Sequence, residues 1–305
     1  MGLRIQTNVQ SLNAQRSLTG ATQTHQAAME RLSSGFRINR AADDAAGLAI
    51  SEKLKASLRG LSVAKRNASD GISLVQTAEG GMNEVGNILS RLRELAVQGS
   101  SDTIGNSERG FLNKEFMQLK DEIDRISYAT DYNGTLLMTG ERELPAGMTT
   151  NSNKQPLEIQ VSKNWLKEVD GDKESPAVDV IRIDLRKMDI TTDTGLGLGK
   201  AGPEGGTRVD TKEDSQTSIS VLDNAIQTIS GHRADLGAIQ NRLSSSINSL
   251  GIQMENYAAA NSRIRDTDFA DETAKMTQAE IIKQAGVSVL AQANSSPQVA
   301  LKLLG

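Results

Sequence analysis

The residues able to do chemistry in this 305-residue chain are few: two histidines, a pair of adjacent aspartates and one formal glycine fingerprint, with no cysteine at all. Gly197-Leu-Gly199-Lys-Ala-Gly202 fits GxGxxG, a spacing that lets backbone approach a pyrophosphate. That use requires a strand before the glycines and a helix N-terminus after them. Pro203-Glu-Gly205-Gly206 follows instead, so the run reads as loop. Asp43-Asp44 offers two carboxylates, but neighbours on a helix point about 100° apart and do not converge on one reacting atom. His25 falls in a seam with Leu18, Ala21, Ala28 and Leu32 and reads as a packed histidine, whereas His232 reads as solvated. Without cysteine there is no disulfide, thiolate nucleophile or cysteine metal site. No Ser/His/Asp arrangement, phosphate loop or metal-ligand spacing is visible. The expectation is a protein that is not an enzyme, with no catalytic, cofactor-binding or metal residues and no cofactor.

The elements that would position these residues are long helices. Over 219–257 a three-four register reads Ile219, Leu222, Ile226, Ile229, Arg233, Leu236, Gln240, Leu243, Ile247, Leu250, Met254 and Tyr257. Over 50–96 a second reads Ile50, Leu54, Ser57, Leu61, Ala64, Ala68, Gly71, Val75, Ala78, Met82, Val85, Leu89, Leu92 and Ala96. Seams this narrow suit a long helix lying along another. Breaks are expected near Gly35 and between Gln98 and Ser107, where glycine, serine and asparagine cluster. A third helix carries Leu112, Phe116, Leu119, Ile123 and Ile126 on one face. Asp131-Tyr-Asn133-Gly134-Thr135 predicts a tight turn into extended Leu136-Leu137-Met138. Four of the five prolines fall within 141–215, where 157–161 and 178–185 alternate as strands. Helix resumes from 216, restarts after Asp266-Thr-Asp268, and meets Pro297 near its end, where the proline starts a last turn or kinks the helix.

Composition points the same way. Aromatics are 3% of the chain, with Trp165 the single tryptophan, which is sparse for a large enzyme-like core. A net charge of −4 gives no electrostatic pull toward nucleic acid or an anionic membrane, and neither is expected as a partner. The N-terminus lacks the apolar core of a cleaved signal, and no apolar stretch spans a bilayer.

Two stretches remain. One is Leu32-Ser-Ser-Gly35-Phe-Arg37-Ile-Asn39-Arg-Ala-Ala-Asp43-Asp44-Ala-Ala-Gly47-Leu-Ala-Ile50; the other is Gln292-Ala-Asn-Ser-Ser-Pro297-Gln-Val-Ala-Leu-Lys-Leu303-Leu304-Gly305. In the first, Gly35 permits a sharp turn, Asp43 and Asp44 suit the start of a helix, and Ala45, Ala46 and Gly47 let a neighbouring backbone approach. Both closely resemble the terminal signatures of bacterial flagellin. Thr7-Asn-Val-Gln-Ser-Leu-Asn-Ala-Gln-Arg, Leu89-Ser-Arg91-Leu-Arg93-Glu94-Leu95-Ala-Val-Gln98 and Asn261-Ser-Arg263-Ile-Arg-Asp266-Thr-Asp268 are similar to further segments of that family. The likeness covers roughly 1–140 and 215–305.

The resemblance implies a mainly α fold, with long antiparallel helical rods or a coiled coil formed by both chain ends and a small β-rich insertion in the middle. It implies an inner-core helix at 1–45, outer-tube helices at 46–140 and 216–262, a variable insertion at 141–215, and a second inner-core helix at 263–305. It implies a structural subunit that polymerises into the flagellar filament, exported without a cleaved signal through the flagellar type III apparatus. The other reading is a hook–filament junction protein or another helical adaptor. Inner-core assembly then falls on Ile5, Val9, Leu12, Leu18, Leu32, Ile282, Val289, Leu301, Leu303 and Leu304. The hinge motif is Gly35, Arg37, Asn39, Asp43, Asp44 and Gly47, and Arg91, Leu95 and Glu115 are a receptor or subunit interface. Implied partners are further copies of the chain, an export chaperone at the C-terminal helix, the filament cap, hook–filament junction proteins and a host Toll-like receptor.

Overall fold

A computed structural model describes residues 8–140, 156–164, 179–199 and 206–302, with backbone alone from 296 onward. Five long helices carry the chain: α1 (Val9–Ser34), α2 (Ala45–Gly99), α3 (Asn106–Ala129), α4 (Lys212–Arg265) and α5 (Phe269–Lys302). Between α3 and α4 lie two short antiparallel pairs, β1 (Asp131–Tyr132) with β2 (Thr135–Leu136), and β3 (Leu157–Gln160) with β4 (Val180–Ile183). Trp165, Gly202 and the prolines Pro145, Pro176 and Pro203 lie outside the described residues. The chain divides into two compact units, Met1–Leu58 with Glu255–Gly305, and Arg59–Met254. That division falls inside α2 and α4.

In the unit Arg59–Met254 the apolar seam of α2 is the core. Leu61, Ala64, Ala68, Val75, Ala78, Met82, Val85, Leu89, Leu92 and Ala96 are all buried. From Ala68 onward they meet Phe116 and Ile123 of α3 and Leu222, Ala225, Ile229, Leu236 and Leu243 of α4. Each larger side chain contributes about 1.5–3 kcal/mol on full burial. Helices α2 and α4 run antiparallel: Arg93 Nε lies 2.7 Å from Asp223 Oδ1, while a Cβ at Gly71 would sit 3.4 Å from Leu243 Cδ1. The seam of α4 passes through half-buried His232 rather than exposed Arg233, stepping three then four residues from Ile229 to Leu236. His232 is therefore not solvated as the sequence suggested. Burial lowers its pKa against the opposing pull of Asp235 and Asp189.

Local chemistry closes the turns. At the end of α2, buried Arg109 reaches back from α3; its Nε donates to Gly99 O at 2.8 Å and its Nη2 to Ser101 O at 3.0 Å. A cation there satisfies carbonyls that a helix C-terminus leaves open. The β1–β2 turn places Asn133 at φ 52° and Gly134 at φ 77°, as a two-residue hairpin requires. The extended stretch expected over 136–138 is shorter as a strand; it continues only as a bridge from Thr139 to Asp189.

The middle segment is not an appendage to the helices. Ile181, Ile183, Leu185, Met188, Ile190, Leu196 and Leu198 are buried in the same apolar cluster as α2. Strand β3 lies over α2, where Ile159 Cδ1 fills the space above Gly71 and Asn67 Nδ2 donates to Gln160 O at 3.3 Å. The GxGxxG run is loop wherever it is described, with Gly197 and Gly199 at positive φ. Beneath it, the fully buried ammonium of Lys120 on α3 donates to Leu198 O at 3.0 Å and to Thr207 O at 3.3 Å.

Candidate assembly site

In the unit formed by the two ends of the chain, α1 and α5 pair antiparallel along their length. Asn8 Nδ2 donates to Ala293 O at 2.7 Å, and Ser11 Oγ to Asn294 Oδ1 at 2.8 Å. Further along, Leu18 covers Gly286, His25 Nε2 lies 3.3 Å from Glu280 Oε2, and Arg31 Nη1 lies 3.3 Å from buried Glu272. The seam is alanine: Ala21 and Ala28 from α1, Ala279 and Ala293 from α5. Small residues bring two backbones close but bury little apolar area.

The large apolar side chains of this pair point elsewhere. Val9 (56%), Leu12 (51%), Ile281 (62%), Ile282 (45%), Val287 (54%) and Val289 (57%) are exposed. Leu18 and Leu32 are half-buried. Along α5 the outward face forms an open groove lined by Phe269, Ala270, Thr273, Ala274, Thr277 and Ile281. Helix α5 continues through Pro297 to Lys302, so the proline does not end it. Ile5, Leu303 and Leu304 lie outside the described residues, as does the side chain of Leu301.

The hinge motif closes a loop between α1 and α2. Gly35 ends α1 at φ 73°, its N–H donating to Arg31 O. Asn39 Nδ2 donates to Ser34 Oγ at 2.9 Å. Asp43 Oδ2 accepts from the backbone N–H of Arg40 at 2.9 Å and of Asn39 at 3.1 Å, and these bonds hold its carboxyl below the usual range. Asp44 caps α2, accepting from Gly47 N at 2.8 Å. The close approach at Gly47 is not by a neighbouring backbone: an added Cβ would lie 2.4 Å from Asp44 Oδ2 and 2.8 Å from Ile38 Cδ1.

This loop is bound to the α4–α5 turn. Arg37 N donates to Arg265 O at 2.6 Å, Arg37 Nη2 to Ile264 O at 2.7 Å, and Thr267 N to Gly35 O at 3.0 Å. The guanidinium of Arg265 stacks 4.7 Å over the Phe36 ring and pairs with Glu52 at 2.7 Å. Sequence reasoning missed Phe36, Glu52 and Arg265 as partners, because nothing local in any of the three segments reports a pairing across the chain.

In the other unit Arg91 is exposed and bridges α2 to α3, with Nη2 2.9 Å from Glu115 Oε1 and Nη1 3.0 Å from Glu94 Oε2. Both carboxylates raise the guanidinium pKa, Glu115 more strongly. Leu95 was expected on the same surface, but it is 1% exposed and belongs to the core. One helical turn separates it from Arg91, yet Leu92, Leu95 and Ala96 together define the buried face. Among the described residues no cluster of histidine and carboxylates is arranged to hold a metal ion.

Comparison with known proteins places this architecture. The model of the bacterial flagellin N-terminal helical region matches residues 5–143, and that of the bacterial flagellin C-terminal helical region matches 219–304. A flagellin of Halalkalibacterium halodurans is 41% identical over 297 residues, covering 97% of this chain and 98% of the relative. One of Bacillus subtilis is 40% identical over 309 residues, covering 99% and 100%. Flagellin D of Vibrio cholerae is 36% identical, covering all of both chains. Among solved structures, a putative flagellar hook-associated protein from Vibrio parahaemolyticus superposes with a TM-score of 0.55 at 14% identity, covering 73% of this chain and 100% of that one; this likeness is one of fold. With matching terminal regions and full-length relatives, the chain belongs to the bacterial flagellin family, whose members are the self-polymerising structural subunits of the flagellar filament.

Proposed function

We propose that the α1–α5 pair is the part of this subunit that other copies enclose. Residues 1–45 and 263–305 then form the inner core of the filament, 46–140 and 216–262 its outer tube, and 141–215 the variable insertion. The observation that carries this is the mismatch within the pair: alanines inside, with Val9, Leu12, Ile281, Ile282, Val287 and Val289 outside. An isolated helical pair that leaves its large aliphatics in water lacks the burial that normally holds helices together. Contact with neighbouring copies supplies it. The same uncovered α5 face suits an export chaperone before assembly, with passage through the type III apparatus and no cleaved signal. Filament cap and hook–filament junction proteins meet the subunit at the two ends of the polymer. In purified protein, short sheared filaments should seed growth of long filaments visible by electron microscopy; monomer that never elongates seeds would sink the reading.

The Arg91–Glu115 bridge is our candidate contact for a Toll-like innate receptor, without Leu95, which has no surface to offer. Monomer should activate a receptor reporter, and Arg91→Ala should weaken it by roughly tenfold or more, since an anchoring arginine contributes about 2 kcal/mol. An active wild type indifferent to Arg91→Ala would show the contact lies elsewhere.

A further inference from the structure

Asn133-Gly134 is the single Asn-Gly dipeptide in the chain, and asparagine before glycine is the side-chain amide least durable in water. Glycine is the reason: without a Cβ, its backbone nitrogen can swing against the asparagine side chain. The Gly134 nitrogen then attacks Asn133 Cγ. A new C–N bond forms, the N–H proton passes to the side-chain nitrogen, and ammonia leaves as the old Cγ–N bond breaks. Water opens the resulting five-membered imide at either carbonyl. One opening leaves aspartate; the other, the commoner, leaves isoaspartate, whose main chain runs through the side chain and is one atom longer. Nothing is oxidised or reduced.

Both residues are exposed, so water reaches them and burial gives no shelter. The fold opposes the reaction in two other ways. Asn133 at φ 52° and Gly134 at φ 77° form the turn between β1 and β2, and the register Asp131↔Leu136, Tyr132↔Thr135 fixes its backbone. Ring closure needs the Asn133 Cα–C bond turned until Cβ eclipses the Gly134 nitrogen, a rotation outside this turn type. In addition, Gly134 N donates to Asp131 Oδ2 at 3.0 Å. The attacking nitrogen must lose that proton, which the carboxylate holds, and the same negative charge disfavours the amide anion that would form.

We propose that Asn133 is a self-modification site that the native hairpin keeps shut: a folded chain retains the amide, whereas a chain held unfolded converts to isoaspartate there. The consequence lies in strand register. An extra main-chain atom in a two-residue turn cannot keep both pairs of β1–β2. Just beyond β2, Leu137 and Met138 are fully buried, and Met138 O accepts from Ser127 Oγ at 3.0 Å and from Ile190 N at 2.9 Å. A chain aged in the unfolded state therefore refolds into a weaker unit and carries a lasting chemical mark of the delay. This inference stands apart from the filament-subunit reading and does not depend on it.

The test incubates the full chain at mildly alkaline pH, folded in buffer and unfolded in guanidinium chloride. Mass spectrometry of the tryptic peptide 126–142 counts conversion at Asn133 and separates isoaspartate from aspartate. The folded chain should convert at least about tenfold more slowly than the unfolded one, as the bond to a charged acceptor alone accounts for about that factor. Gly134 amide hydrogen exchange in the folded wild type should be slowed comparably, because it requires the same proton loss. Asp131→Asn keeps an acceptor of the same shape without its charge. Checked for folding by circular dichroism, it should convert roughly tenfold faster than folded wild type and at an unchanged rate in guanidinium chloride. Chains carrying isoaspartate at 133 should unfold at a lower denaturant midpoint than fresh chains. Equal conversion in folded and unfolded wild type overturns the proposal, as does Gly134 exchange at the unfolded rate. An isoaspartyl chain as stable as a fresh one overturns the weakening, and a folded Asp131→Asn as slow as wild type overturns the part given to Asp131.

Discussion

Ile281→Asp with Val289→Asp on α5 will abolish filament growth while leaving the monomer as helical and as stable as wild type. The asymmetry follows from where these residues sit. In the single chain Ile281 is 62% exposed and Val289 57% exposed, so an aspartate there meets water and changes monomer stability by no more than about 0.5 kcal/mol. In a filament that covers this face, each substitution removes about 1.5–3 kcal/mol of apolar burial. It also encloses a carboxylate without a partner, which costs several kcal/mol more or forces the contact apart. The monomer concentration needed for growth should rise by more than about a hundredfold, beyond practical reach. Ile281→Val with Val289→Ile, which keeps the face apolar, should grow normally. Filaments from the double aspartate variant at ordinary concentration would mean that this face is not enclosed by neighbours.

That prediction also marks the boundary of what the sequence discloses. The three-four seam over Leu61–Ala96 was legible because the residues that cover it, from Phe116 of α3 to Leu243 of α4, belong to the same chain and show matching periodicity. Val9, Leu12, Ile282 and Val289 came to notice only through the family resemblance, which marks a face without naming what covers it in a single chain. They turn out exposed, beside a seam of alanines that drew attention only around His25. Errors of one helical step have a similar cause. Arg233 was placed in a seam that His232 occupies, and Leu95 on a surface whose side chain points inward, because three-four spacing tolerates either neighbour until a packing partner decides. Turn chemistry was read more reliably, since Gly35, Asn133-Gly134 and the α5 start at Asp268, which accepts from Ala270 N at 2.9 Å, depend on local geometry alone. The Phe36–Arg265–Glu52 contact was not legible, for it joins residues with no local signature.

Lys120 gives the chain a stability that rises in alkali, opposite to the usual expectation for a lysine gaining a partner. Its side chain is fully buried on α3, and its pKa is lowered from 10.5 to about 8, chiefly by burial, with Arg208 adding repulsion and Asp124 and Asp121 opposing it. Below pH 8 the amine is charged in both the folded and unfolded chain, and the folded state bears the whole desolvation penalty. Between about 8 and 10.5 the folded chain loses this proton first. The unfolded state then binds more protons, so unfolding free energy climbs with pH, and the climb ends once both states are neutral. The full step is on the order of 3 kcal/mol. Lys120→Met removes the titration together with the donor to Leu198 O and Thr207 O, and leaving those carbonyls unmet costs about 1–3 kcal/mol at pH 7. Other groups titrate in the same range, so the informative quantity is the difference between wild type and variant in urea unfolding of dilute monomer. That difference should widen in favour of wild type by about 2–3 kcal/mol from pH 7.5 to pH 10.5. A gap that stays constant across this range would show that the Lys120 amine keeps an ordinary affinity for its proton inside the fold.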